Sequence, residues 1–217
     1  MIDKTQFIRA NTALVSPPLV PEIKLHLATE VVPLWQLTEE ELAAQGIPPP
    51  YWAFAWAGGQ ALSRYVLDHP DIVSGKSVLD FGSGSGLVAI AAAKAGAERV
   101  MAADIDDFAQ ATIKLNAAAN AAIVSTTTAD LIGSDGNWRI ILVGDMCYER
   151  PLAERLLAWL SDRARHGASI LLGDPGRSYF PKDGVAKLAT YRVQTMRDLE
   201  DHEIRETSVY ELSGSGG

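Results

Sequence analysis

One cysteine, Cys147, stands among 217 residues, so no internal disulfide can form and a stapled scaffold is excluded; a reducing compartment is the expectation. Positive charge is in short supply. Nineteen Lys and Arg face twenty-seven Asp and Glu, a formal charge of −8, the wrong sign for a general nucleic-acid binder, which needs a positive field to meet phosphates. No apolar run reaches about 18 residues without a charge, so no membrane-spanning helix is expected. The opening MIDKTQFIRANTALV has neither the apolar stretch of a secretory signal nor the Arg and Ser richness of a transit peptide. His26, His69, His166 and His202 lack metal-ligand spacing, and no metal is expected. There is no internal repeat, and no linker is rich enough to separate independent domains. A chain of this length buries on the order of 70% of its unfolded surface, enough for a core of its own.

What is present is an alternation. KSVLDF (76–81), RVMAAD (99–104), AIVST (122–126), RIILVGD (139–145) and ASILLGD (168–174) read as strands. The unbroken apolar run of the fourth suits a parallel strand buried on both faces. Between them lie helical stretches: GLVAIAAAKAG (86–96), an Ala-rich segment reaching Asn120, and PLAERLLAWLSDRARH (151–166). In the last of these Pro151 opens the helix and Leu152, Leu156, Trp159 and Leu160 recur at helical spacing. LATYRVQT (188–195) and IRETSVYEL (204–212) read as two half-exposed strands joined too closely for a crossover, hence an antiparallel hairpin at one sheet edge. The expected fold is therefore α/β: a doubly wound, Rossmann-like sandwich with a mostly parallel seven-stranded sheet and an antiparallel C-terminal hairpin.

Residues 1–75 precede the first core strand. They hold a Pro-rich SPPLVP, a short helix candidate EIKLHLA (22–28), a capping box at Thr38 and Glu41, and a helix ending near Asp68. Three regions are expected: a 1–75 lead-in covering part of the carboxyl edge of the sheet and helping to form an acceptor site, a 76–212 core, and a 213–217 tail of SGSGG, low in complexity and expected to be disordered.

The chemistry is concentrated in VLDFGSGSGLVAI (78–90). A strand ends at Asp80, a loop supplies Gly82, Ser83, Gly84 and Gly86, and a helix begins at once. Glycines let the chain turn sharply and let a ligand approach the backbone, while free N–H groups at the helix start favour a carboxylate-bearing or anionic group. The dinucleotide fingerprint is G-x-G-x-x-G, whereas here the spacing is G-x-G-x-G, with Leu87 in the sixth place. Asp104, 22 residues beyond Gly82, ends the second strand, where a carboxylate accepts ribose hydroxyls in either kind of site.

An acidic residue two places before the first glycine, as Asp80 stands, resembles class I S-adenosylmethionine-dependent methyltransferases. Asp145 and Tyr148, in GDMCYE (144–149), resemble the Asp-x-x-Tyr of seven-β-strand protein lysine methyltransferases, and no Asn-Pro-Pro-Tyr-like run marks the site for an amide or adenine nitrogen. Three segments narrow the resemblance: PPPYWAFAWAGGQALSRYVLD (48–68), SGSGLVAIAAAKAGAERVMAADID (83–106) and LLGDPGRSYFP (171–181). With FIRANTALVSPPLVPEIKLHLA they are similar, over nearly the whole chain, to the lysine methyltransferases of the electron transfer flavoprotein beta subunit in their bacterial form.

The resemblance implies S-adenosylmethionine as cofactor and S-adenosylhomocysteine as product. It implies cofactor contacts at Trp56, Asp80, Gly82, Ser83, Gly84, Gly86, Asp104, Ile105, Asp130 and Gly144, and catalytic roles for Asp145 and Tyr148. The implied acceptor is a lysine of the flavoprotein beta subunit, with ribosomal proteins as further acceptors; the charge, the lack of a long apolar run and the opening residues add the expectation of a monomer of the bacterial cytoplasm acting without nucleic acid or membrane. Two other readings of the residues stay open: a small-molecule methyltransferase whose aromatic lead-in forms a lid, and a non-catalytic module that binds S-adenosylmethionine. Trp52 and Phe54 read as core, Cys147 as a small buried residue rather than a nucleophile. Asp174 and Arg177 in GDPGR (173–177) either close the acceptor pocket or form a turn.

Overall fold

The structure, a computed structural model, describes residues 3–28, 49–195 and 204–213. The Thr38–Glu41 capping box and residues 214–217 of the tail lie outside the described residues. In chain order the elements are α1 (Lys4–Asn11), β1 (Ala13–Val15), β2 (Leu25–Leu27), α2 (Ala57–Asp68), β3 (Ser77–Phe81), α3 (Leu87–Lys94), β4 (Arg99–Ala103), α4 (Asp107–Ala119), β5 (Ser125–Thr127), β6 (Ile140–Gly144), α5 (Arg150–Arg165), β7 (Ser169–Asp174), β8 (Val185–Gln194) and β9 (Ile204–Leu212). Short 3-10 turns at Tyr51–Ala53 and Pro70–Ile72 flank α2.

The main sheet has seven strands in the order β5-β4-β3-β6-β7-β9-β8. Pairings from β5 through β7 are parallel, while β9 runs antiparallel to both β7 and β8. The last strand is thus inserted between β7 and β8, and β8 takes the edge. Alternate residues of the strands divide the core in two, as the pleat requires. Val78, Val100, Ala102, Ile140 and Leu142 face Leu62 and Val66 of α2 and Val88 and Ala92 of α3. Their neighbours Leu79, Phe81, Ile141, Val143 and Leu172 face Leu156, Trp159 and Leu160 of α5. All five residues of β3 are buried, Ser77 and Asp80 included, and the four apolar residues Ile140 to Val143 of β6 are buried in an unbroken run.

Three expectations shift. EIKLHLA is not a helix: Leu25 and Leu27 are buried on either side of His26, an alternation that makes a strand. Two asparagines of the α4 region hold it, Asn116 accepting from the His26 N–H at 2.7 Å and Asn120 from the Lys24 N–H at 3.0 Å. The third core strand begins at Ser125 rather than Ala122, because the chain turns at Ala121 with φ 51° and leaves Ile123 in solvent. Strand β8 begins at Val185, three residues early, with a register shift between Lys187 and Ala189. Helix α1, absent from the expected elements, is capped by Asp3 and sets Phe7 edge-on to Phe108 of α4 at 5.5 Å.

The strand order reverses about β3, with β4 to one side and β6 to the other. In an open sheet this leaves a crevice outside the carboxyl ends of those strands, where ligands of such folds bind. Among the described residues no helix is long and apolar enough to cross a membrane.

Candidate active site

The loop after β3 turns through Gly82, Gly84 and Gly86 at φ values of 67°, 52° and 83°, a region that side chains rarely adopt. Gly82 and Ser83 both donate to the Ala103 carbonyl, which ties the loop to the end of β4. Beneath it lies Asp80, 1% exposed. Its Oδ2 accepts from the Ser83 hydroxyl and, at 2.9 Å, from the Ala89 N–H in the first turn of α3. Burial raises this carboxyl to about 7, against the two hydrogen bonds that favour the anion. Asp80 therefore fixes the shape of the loop from below instead of lining the crevice.

Asp104 stands at the mouth of the crevice. Its Oδ2 accepts from the Gly84 N–H at 2.8 Å and its Oδ1 from the Asp106 N–H at 3.0 Å, while burial raises its pKa. Each carboxylate oxygen keeps acceptor capacity for a second donor, so the group fits a vicinal diol. A Cβ placed on Gly84 would come no nearer to another group than 3.8 Å, from the Tyr51 carbonyl; the loop backbone is open there. Ile105, next to Asp104, is 76% exposed and offers an apolar surface for a flat ring. Asp130 is turned elsewhere: it pairs with Arg155 at 2.9 Å and accepts from the Ile132 N–H, so its carboxylate secures the loop after β5 to α5.

The exits of β6 and β7 are locked to the start of α2. A Cβ on Gly144 would lie 3.0 Å from the Gly59 backbone, and one on Gly173 would collide with the Gly58 carbonyl. The glycines of WAFAWAGGQAL thus allow helix and sheet backbones to touch. Asp145 follows Gly144 with φ 58°, a left-handed conformation unusual outside glycine and worth a functional reading where it is observed. Its N–H donates to the Gly173 carbonyl at 2.9 Å, and its Oδ2 accepts from the Gly59 N–H at 3.1 Å, at the positive end of α2. Its Oδ1 accepts from Arg177 Nε at 3.2 Å and Nη2 at 2.8 Å.

An aromatic wall is joined to this carboxylate through Arg177. Tyr148 packs against Tyr51 with ring centres 5.8 Å apart, and Tyr51 against Trp56 at 6.0 Å. Trp56 caps α2, donates its indole N–H to the Tyr51 carbonyl at 3.0 Å, and carries the Arg177 guanidinium 5.7 Å from its ring. Tyr148 is 43% and Tyr51 51% exposed, so both ring edges meet solvent. Burial is the main force raising the Tyr148 phenol. Cys147 is buried and its thiol is pushed up to about 12, first by burial and then by the charges of Asp174 and Asp145; it is not a nucleophile at neutral pH. Trp52, stacked on Phe108 at 5.8 Å, and Phe54 are core.

The geometry brings Asp104, the glycine loop, Gly144, Asp145, Trp56 and Tyr148 to the carboxyl ends of β3, β4 and β6. It adds two elements that the residue pattern does not assign to the site. Tyr51 joins the wall, signalled only by an aromatic residue after PPP. Asp174 and Arg177 form a built corner: Asp174, 2% exposed, accepts at Oδ1 from the N–H groups of Gly176 and Arg177 at 2.7 and 2.6 Å. GDPGR is the available signal. Among the described residues no group of His, Cys, Asp and Glu is placed to hold a metal ion.

Residues 60–140 match the family model described as ribosomal protein L11 methyltransferase. The chain is 41% identical over 211 residues to the electron transfer flavoprotein beta subunit lysine methyltransferase of Xenopus laevis, covering 94% of this chain and 85% of that protein. The chain belongs to this lysine methyltransferase family. The same-named protein of Danio rerio is 38% identical over 216 residues, 96% of this family member and 83% of the relative. Among solved structures, magnesium protoporphyrin IX methyltransferase from Synechocystis PCC 6803 with bound SAM superposes with a TM-score of 0.53. It is 20% identical and covers 71% of this chain and 78% of that one, a likeness of fold.

Proposed function

We propose that this chain transfers a methyl group from S-adenosylmethionine to a lysine side chain of the electron transfer flavoprotein beta subunit. The observation that carries the reading is the convergence at the carboxyl edge of the sheet of a diol-accepting carboxylate beside an open glycine loop with a left-handed Asp145 whose partner Arg177 lies over an aromatic cluster. Identity of 41% to a relative of that name, over 94% of the chain, supports the acceptor.

Asp104 would hold the ribose hydroxyls, Ile105 the adenine face, and the backbone of Gly82, Ser83, Gly84 and Gly86, shaped by Asp80, the amino-acid end. Gly144 and Trp56 would border the methyl group. Asp130 would act on the adenine side through the loop it secures. S-adenosylmethionine supplies an electrophilic methyl group on a sulfonium. The protein's task is to present an uncharged amine in line with it. A free lysine has a pKa of about 10.4, so holding it neutral near pH 7 costs roughly 4–5 kcal/mol. Tyr51, Trp56 and Tyr148 would strip water from the amine, which lowers that cost, and Asp145 would aim it. Positioning of this kind supplies a large share of the acceleration in a displacement.

The lead-in to residue 75 would form part of the acceptor site, with residues 76–212 as the cofactor-binding core and 213–217 as a tail. Ribosomal proteins are further candidate acceptors, favoured by the family-model match over 60–140. A monomer of the bacterial cytoplasm, independent of nucleic acid and membrane, fits the net charge of −8 and the buried thiol. The test is incubation with methyl-labelled S-adenosylmethionine and purified flavoprotein beta subunit. Label on a lysine located by mass spectrometry is expected. Label in small molecules alone, or cofactor binding without transfer, would overturn the assignment.

A further inference from the structure

We infer that Arg177 is a positioning residue for methyl transfer, one that holds the Asp145 carboxylate in its aiming orientation and cancels its charge toward the arriving amine. The inference rests on the proposed lysine transfer and deepens it. Two N–H groups of the guanidinium converge on one oxygen, Oδ1, leaving the other to the Gly59 amide. A carboxylate so gripped from two directions, on a backbone at φ 58°, cannot rotate freely. Arg177 is itself held twice. The Asp174 carboxylate pins its backbone N–H at 2.6 Å, and the Trp56 face lies 5.7 Å from the guanidinium carbon. The side chains of Arg177 and Asp145 are 19% and 9% exposed, so solvent screens the pair weakly.

The charge matters because of what a lone carboxylate does to an amine. It favours the ammonium form and so withholds the nucleophile. The charged and titratable groups that act on or with Asp145 include Arg177 and Asp174 from the β7 exit and Cys147 from its own loop, with the positive end of α2 reaching it through Gly59. Glu149, Asp104 and Tyr51 act in turn on Tyr148. Within that set the Asp145 charge raises the cost of ionising Asp174 and Arg177 offsets it, while the same guanidinium pairs with Asp145. Its guanidinium keeps Asp145 available as a geometric guide without making the corner a trap for ammonium.

The experiment compares the full chain with Arg177→Gln, which removes the charge, and Arg177→Lys, which keeps it but loses the fork. Turnover and KM are measured on the flavoprotein beta subunit from about pH 6 to about pH 10, with thermal unfolding as the folding control. In the wild type kcat is expected to rise with pH as the bound amine loses its proton. In Arg177→Gln that limb is expected to move up by about one pH unit, with kcat near neutrality about tenfold lower and KM for S-adenosylmethionine within about threefold. Arg177→Lys is expected to hold the limb within about 0.3 unit while losing several-fold in kcat. Equal losses in both variants with the limb unmoved would make Arg177 a mere strut. A gain in kcat/KM for Arg177→Gln would make it a competitor of the acceptor. Either result overturns the inference, and if Arg177→Gln does not fold, a limb that moves in Arg177→Lys does so too. Wild-type chain that leaves lysine unmodified refutes the lysine reading itself, and is seen without any variant.

Discussion

Gly58 and Gly59 are adjacent in the first turn of α2 and should respond oppositely to a single methyl group. A Cβ on Gly58 would overlap the Gly173 carbonyl oxygen, lie 2.7 Å from the Gly173 carbonyl carbon, and lie 2.5 Å from Asp145 Oδ2. The obstacles are backbone and a carboxylate gripped by Arg177, so neither yields by a rotamer change. Roughly an ångström of helix–sheet separation would be needed, and overpacking of this kind costs about 1–3 kcal/mol; with backbone on the far side, about 3 kcal/mol is expected. For a chain of this size each kcal/mol shifts Tm by about 2–4 °C, so Gly58→Ala should melt about 6–12 °C below the wild type. A Cβ on Gly59 would meet only Val88 Cγ2 at 3.8 Å, an ordinary contact. There the helix propensity of Ala favours the variant by up to about 1 kcal/mol, and Tm should hold or rise slightly. Circular dichroism melts of the two variants decide the matter. A Gly58→Ala melt within about 2 °C of the wild type, or an equal fall in Gly59→Ala, would refute the account of helix and sheet in backbone contact.

Three further outcomes are expected. Asp104→Ala should weaken S-adenosylmethionine about thirtyfold in calorimetry, from two hydrogen bonds of roughly 1 kcal/mol each, and an unchanged affinity would remove it from the site. Asp145→Asn keeps a residue type that tolerates φ near 58° and an acceptor for the Gly59 amide. It should lower kcat about tenfold or more while leaving cofactor affinity within about threefold, and full turnover would sink the role given to the carboxylate. Asp80 holds its proton to about 7 when folded, against 3.8 for the free group. The native state then binds the extra proton between those values, and its stability falls as pH rises through that window. Asp80→Asn should therefore gain on the wild type in Tm between about pH 4 and about pH 8, and a Tm difference independent of pH would contradict it.

Much of this molecule is legible in local pattern. Strands β3, β6 and β7 stand within a residue or two of where their apolar runs predict, because strands covered on both faces need a largely apolar centre, with Asp80 and Asp174 kept to their carboxyl ends. Helix α5 follows from Pro151 and the spacing of Leu156, Trp159 and Leu160. The glycine loop is equally plain, since only glycine settles readily at three positive φ values in five residues. Short elements at the margins mislead: EIKLHLA carries enough Leu and Lys for a helix, yet its conformation is set by Asn116 and Asn120, about ninety residues away. The third core strand slides because an edge strand paired only with β4 needs little apolar content of its own.

The chemistry divides along the same line. Local sequence is enough for the sheet, the position of the glycine loop and the presence of Asp104 and Asp145 at strand ends, because each depends on residues within one strand–loop–helix unit. Packing in three dimensions is what sets Asp80 to work under the loop, turns Asp130 to Arg155, and presses Gly58 against Gly173. Packing, too, brings Arg177 to Asp145, 32 residues apart in the chain. A side chain's type is written in the sequence, while the partner that fixes its charge and direction is chosen by which strands lie side by side.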